Sequence, residues 1–171
     1  MEGSKRLVIY FSRADENYNV GSVEVGNTEL LAHKIAETVG ADEFKIVPAK
    51  AYPTNYMETV DIATSEKESG ARPEYVGDVD ISSYDTVYLG YPIWWGDMPM
   101  VVYNFLEKHD FSDKKVAPFC THEGSGESGT FDKLARALAS AEILDGLEIT
   151  GSKARTDKGL TQAVEWAKKE L

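Results

Sequence analysis

Residues 90–99, GYPIWWGDMP, set two indoles side by side among prolines and glycines. Proline and glycine mark turn structure, so Trp94 and Trp95 hold a broad, rigid apolar surface where a regular core element has little use for it. Such a surface suits a flat, largely apolar ligand. Packing of both rings as ordinary core filler is the competing reading. Polar chemistry to match comes from SRADENYNVGSVEVGNTE, residues 12–29. This stretch brings the Ser12 and Thr28 hydroxyls to the start of a helical pattern, where unpaired amides and the helix dipole favour a phosphate. Asn27 or Thr28 serving only as a helix cap is the plainer alternative. Arg13 either adds charge to a bound anion or is simply solvated.

A third stretch, CTHEGSG at 120–126, places Cys120 and His122 two residues apart. That spacing raises a thiol nucleophile, but no third, orienting residue is evident, and a buried inert thiol is the rival reading. GSGESG, residues 124–129, satisfies G-x-G-x-x-G, yet it follows the fourth expected strand instead of opening the first β-α-β unit, so it is a poor dinucleotide fingerprint. His33 and His109 fall on helix surfaces or ends and form no metal-ligating pattern. Phosphotransfer of the receiver type needs acidic residues at the ends of the first and third strands. Those ends read Phe11-Ser12 and Tyr91-Pro92.

The elements that must position these loops follow from two alternating periods. RLVIYF, EFKIV, DTVYLGY, KVAPFC and ILDGLEI are short apolar runs of the kind that form strands buried on both faces. Between them lie helical patterns. Leu31, Ile35 and Val39 make one stripe ended by Gly40; Asn55 and Glu58 have capping-box spacing; Pro99 opens a helix through Val102, Phe105 and Leu106. Phe131, Leu134 and Leu138 mark a fourth helix, and Leu160, Val164, Ala167 and Leu171 mark the last. Five strand-helix units predict an α/β three-layer sandwich, 1–171 as a single domain, with a five-stranded parallel sheet in the order 2-1-3-4-5. Ligands of such sheets sit outside the carboxyl ends of the strands, where the first and third diverge. All three loops fall there.

Composition narrows the partners. The 171 residues carry a formal net charge of -11, which disfavours nucleic acid and anionic membrane surfaces and suits a protein with a basic docking surface. One cysteine excludes an internal disulfide and fits a reducing cytoplasm. The longest early apolar run, LVIYF, is too short for a signal peptide core or a membrane span.

Taken together, the strand ending Y-F-S-R, the G-N-T that opens a helix, the Y-P-I-W-W-G loop and P-F-C-T-H-E-G-S-G resemble the flavodoxins, more closely flavodoxin-like proteins of the short type, from about Lys5 to Leu171. The resemblance implies non-covalent FMN and electron transfer. It implies a phosphate loop of Ser12, Arg13, Ala14, Asn27 and Thr28, and a second loop of Pro92, Ile93, Trp94, Trp95 and Gly96. The third loop is Cys120, Thr121, His122, Glu123, Gly124, Ser125 and Gly126, whose backbone amides in that family meet the pyrimidine edge of the flavin. Trp95 is expected to cover a flavin face, with Trp94 lining the ring edge or packing inward. The chain departs from the family in the insert DENYNVGSVEV, which either arches beside the flavin, with Tyr18 a contact, or is a surface excursion. It departs again in having no aromatic residue in the third loop before Phe131, so the opposite face is open or is covered by His122 or the insert. Asp97, Glu123 and Glu127 are expected to disfavour the anionic reduced ring, and Gly96 to let a peptide carbonyl turn towards it. Two functions remain open on this reading: an electron carrier between redox proteins, and an NAD(P)H-dependent flavin or quinone reductase. A binding module without flavin is a third.

Overall fold

A computed structural model describes residues 5–17 and 21–169. Its parallel sheet is built from β1 (Arg6–Tyr10), β4 (Asp42–Lys45), β5 (Thr86–Pro92), β6 (Lys115–His122), β7 (Glu142–Ile143) and β8 (Leu147–Thr150). The order is β4-β1-β5-β6, and both β7 and β8 pair with the outer side of β6. Counting β7 and β8 as one interrupted fifth strand, this is the expected 2-1-3-4-5 order. The interruption has a local cause. Ile143 pairs with Val116 and Leu147 with Phe119, so four residue steps on the outer strand face three on β6. The bulge falls opposite Pro118, which has no N–H to offer the ladder. Trp166 takes the freed Asp145 carbonyl, its Nε1–H donating at 3.0 Å.

Helices α1 (Asn27–Val39), α2 (Tyr56–Ser69), α3 (Met100–Glu107), α4 (Thr130–Ala137), α5 (Gly151–Ala154) and α6 (Asp157–Lys169) complete the layers. Alternate residues of each central strand serve opposite cores, which is why the strands read as unbroken apolar runs. Leu7, Ile9, Leu89, Tyr91 and Cys120 pack with Val102 and Phe105 of α3 and Leu134 of α4. Val8, Tyr10, Tyr88 and Phe119 pack with Leu31 and Ile35 of α1 and Trp166 of α6. Gly90 is fixed by this arrangement, since a Cβ there would lie 2.2 Å from the Phe119 ring on the neighbouring strand.

One expectation needs correction. The buried face of α6 is Gly159, Ala163, Trp166 and Ala167, while Leu160 and Val164 are only partly covered. Small residues win because the helix lies close: a Cβ on Gly159 would stand 2.0 Å from the Lys153 carbonyl oxygen. Leu171 lies outside the described residues. The insert after Ala14 forms an antiparallel ribbon of β2 (Asp15–Asn17) and β3 (Gly21–Val23), separate from the main sheet. Tyr18, too, is outside the described residues. Among the described residues no helix is long and apolar enough to cross a membrane.

Candidate functional site

The first loop leaves β1 at Phe11 and re-enters regular structure at α1. The helix is capped by Gly26, whose backbone is extended and which has no side chain to cap with. Ser12 supplies the cap from across the loop, its Oγ accepting from the Glu29 amide at 3.0 Å. Only glycine fits at 26: a Cβ would sit 2.3 Å from both the Arg13 carbonyl oxygen and Ser12 Oγ. Asn27 and Thr28 are therefore the first two helical residues and not caps, and both are buried. Their amides belong to the helix start, which lacks intrahelical partners. Thr28 Oγ1 lies 2.8 Å from Thr121 Oγ1 at the end of β6, tying the first loop to the third. Asn27 Oδ1 accepts from Arg155 Nη1 at 2.9 Å, an arginine that sequence reasoning passed over. Arg13 is buried and not solvated, and its Nη2 donates to the Thr54 carbonyl at 3.0 Å.

The second loop is a tight turn. Trp94 N donates to Asp97 O at 2.8 Å and Asp97 N to Trp94 O at 3.1 Å, with Trp95 at φ 54° and Gly96 at φ 66°. Positive φ at both central residues is the type I′ pattern, ordinary for Gly96 and costly for a tryptophan. The two indoles part company here. Trp94 packs inward, edge-on to Phe11 at 5.2 Å and to Tyr52 at 5.1 Å between ring centroids. Trp95 stays 55% exposed at the rim. Lys67 of α2 donates its Nζ to the Trp95 carbonyl, so that peptide already has a partner.

Asp97 anchors this turn. Its Oδ1 accepts from the Tyr103 hydroxyl at 2.5 Å and the Met98 amide at 2.8 Å, and Oδ2 lies 3.3 Å from Lys133 Nζ. Burial and then the Asp97 bond push the Tyr103 phenol above its ordinary range. Glu127 is likewise engaged, accepting from the Phe131 amide at 2.8 Å at the start of α4. Of the three carboxylates expected to face a ligand, Glu123 alone lines the cleft.

The third loop folds back on itself. The amides of Gly124 and Gly126 donate to His122 Nδ1 at 3.0 and 3.2 Å. The Glu127 amide goes to Glu148 Oε2 at 2.9 Å. Cys120 is fully buried among core side chains, where burial, then the Glu148 and Glu127 charges, push its thiol far up. It is no nucleophile paired with His122.

These pieces converge on one cleft of about 530 Å³ at the carboxyl edge of the sheet, a size ordinary for a cofactor site. Arg13, Asn27, Thr28, Pro92, Ile93, Trp94, Trp95, Gly96, Thr121, His122, Glu123 and Ser125 line it. Ser12, Ala14, Gly124 and Gly126 do not, and Ser12 acts instead by capping α1. Sequence reasoning missed the opposite wall: Tyr56, Met57, Thr59, Val60 and Ala63 of α2, with Gly151 at the far end. A signal existed, because Met57, Val60 and Ala63 share a helix face at i, i+3 and i+6.

The sequence profile of the flavodoxin family matches residues 5–167. Among solved structures, a candidate flavoprotein from Bacteroides eggerthii DSM 20697 is 28% identical, with a TM-score of 0.78 and 97% of each chain covered. Another, from Bacteroides uniformis ATCC 8492, is 26% identical with a TM-score of 0.77, covering 98% of this chain and 99% of that one. A flavoprotein from Lactobacillus acidophilus NCFM in complex with FMN shares the fold at 18% identity and a TM-score of 0.69, covering 85% of this chain and 93% of that one. No curated protein sequence matches. With its strand order, its three loops and a family match spanning nearly all of its length, the chain belongs to the flavodoxin family.

Proposed function

We propose that this protein binds FMN non-covalently in the cleft and passes electrons between redox partners in the cytoplasm. One observation carries the reading: the start of α1 and the exposed face of Trp95 open into the same cavity. The donor set fits the cofactor at each end. Helix-start amides at Asn27 and Thr28, with Arg13 also on the cleft wall, match a phosphate, and Gly26 lets the Ser12–Arg13 segment close against the helix start, where a Cβ would meet the Arg13 carbonyl and Ser12 Oγ. Trp95 offers a planar face to the isoalloxazine, and Pro92, Ile93, Trp94 and Gly96 shape the wall beneath it. Thr121, His122, Glu123 and Ser125 border the remaining side. Bound FMN supplies reversible electron storage. The chain's own part is to hold it, exclude water from one face and set the charge around it.

The acidic surface supports protein partners with basic docking faces over nucleic acid. A second reading, an NAD(P)H-dependent flavin or quinone reductase, draws on one feature. The α2 wall adds apolar space around Met57, which is 61% exposed, while the third loop offers no aromatic cover.

The test is titration of the purified protein with FMN, read by indole quenching and by the visible spectrum. Saturable one-to-one binding is expected, and a colourless protein with unquenched indoles at excess FMN overturns the proposal. Loaded protein is then mixed with NAD(P)H and a quinone. Steady consumption without an added reductase assigns the reductase; dependence on an added redox protein assigns the carrier.

A further inference from the structure

We infer that His122, held in a single tautomer by its own loop, donates a hydrogen bond from Nε2–H to a ring acceptor of the flavin. The inference rests on the FMN reading above and adds a side-chain donor to a loop whose Gly124, Gly126 and Glu127 amides are already committed. Two N–H groups, those of Gly124 and Gly126, point at Nδ1 at 3.0 and 3.2 Å. A ring nitrogen that accepts two hydrogen bonds carries no proton, so the imidazole proton sits on Nε2. Nε2 makes no hydrogen bond among the described residues, and His122 is one of the residues that line the cleft.

Elimination among the neighbouring side chains leads to the same atom. The Thr121 and Thr28 hydroxyls share one hydrogen bond at 2.8 Å, so one of their two protons is already committed; the Ser125 hydroxyl donates to the Gly126 carbonyl at 3.3 Å, and a Glu123 carboxylate only accepts. The isoalloxazine presents carbonyl oxygens and bare ring nitrogens along its polar edge, and a buried acceptor without a donor is costly. Two loop amides that could have met that need are turned onto the imidazole. The histidine passes their orientation on as one fixed donor, with its rotamer and tautomer set before the ligand arrives.

Two isosteric variants separate the roles of the two ring nitrogens. His122→Asn keeps an oxygen near the Nδ1 position, so the loop amides retain their acceptor while the cleft donor is lost. His122→Gln places an amide N–H near the Nε2 position and gives up the loop acceptor. Each is titrated with FMN alongside the unaltered protein, and the amide resonances of Gly124 and Gly126 report loop order. The expected result for His122→Asn is unshifted glycine amides with about tenfold weaker FMN binding, equivalent to about 1.4 kcal/mol. In the unaltered protein the Nε2–H resonance moves on FMN addition. Should His122→Asn bind FMN as tightly as the unaltered protein with its loop intact, or should Nε2–H stay unmoved at saturation, the inference fails while the FMN reading stands. Absence of FMN binding to the unaltered protein would overturn the reading itself.

Discussion

At the scale of the residue, Trp95 shows local backbone preference overruled. Its φ of 54° puts a bulky side chain in the left-handed region, which costs on the order of 1–2 kcal/mol. Strain of this kind persists where the rest of the turn over-determines it, and here the Asp97 bonds to Tyr103 and Met98, the ion pair to Lys133 and the Lys67 contact all do so. Trp95→Asn relieves the strain and removes the flat face. The expected outcome is a ligand-free protein more stable by up to about 1 kcal/mol in urea unfolding, together with FMN affinity lower by at least about tenfold in titration. Trp94→Phe is not interchangeable with it, since Trp94 is wedged between Phe11 and Tyr52. The sequence WWG marked this place through residue type alone. The family resemblance turned Trp95 towards the ligand and left Trp94 at the ring edge or packed inward; what no local pattern encodes is the pair of tertiary contacts, from Tyr103 and Lys133 to Asp97, that hold the turn.

At the scale of the element, α1 is joined to the edge strand β4 by charge. His33 lies 3.0 Å from Glu29 and 2.6 Å from Glu43, and Lys45 lies 2.7 Å from Glu29. Partial burial works against the charged imidazole, but the Glu43 and Glu29 carboxylates outweigh it and hold the His33 pKa above its ordinary 6.5. Burial also opposes the Glu29 charge, and Lys45 and His33 together bring that carboxyl below its ordinary range. A raised histidine stabilises the fold fully below pH 6.5 and loses that contribution as pH climbs through the raised value. The Glu29 contribution runs the other way and fades only in acid. His33→Gln is therefore expected to lower the urea midpoint at pH 5.5 and to leave it nearly unchanged at pH 9; equal loss at both would refute the assignment. Elements as such were legible in the sequence: the α1 stripe with its Gly40 stop and the Asn55 cap, which accepts from the Glu58 amide at 3.0 Å, stand where the spacing put them. What escaped was orientation. The pocket-facing side of α2 and the small-residue face of α6 depend on which neighbour comes closest, and a glycine such as Gly159 reads as weakness until Lys153 is seen against it.

At the scale of the whole molecule, two cores lie on either side of one sheet and are expected to unfold together, an event that Cys120 reports. Its thiol is fully buried and pushed far above its ordinary range, so alkylation at pH 8 requires opening of the fold. The native protein is expected to resist iodoacetamide for hours and to become labelled in step with loss of its circular dichroism in urea. Prompt labelling without urea would show a looser core than the one described. The overall order of strands and layers was readable because alternating apolar runs and helical stripes leave few right-handed solutions. The break in the fifth strand was not, since Pro118 sits on β6 and acts across the ladder on a partner remote in sequence.

Gly90 and Phe119 extend that lesson into evolution. The ring fills the space that a β-carbon on the adjacent strand would claim, so neither position is free to drift alone. Gly90→Ala should be severely destabilising by itself and markedly milder when Phe119 is trimmed to leucine, the non-additivity expected of residues in contact. Across descendants of a common ancestor, enlargement at one position should then travel with shrinkage at the other, leaving a correlated signature that sequences from many lineages would carry.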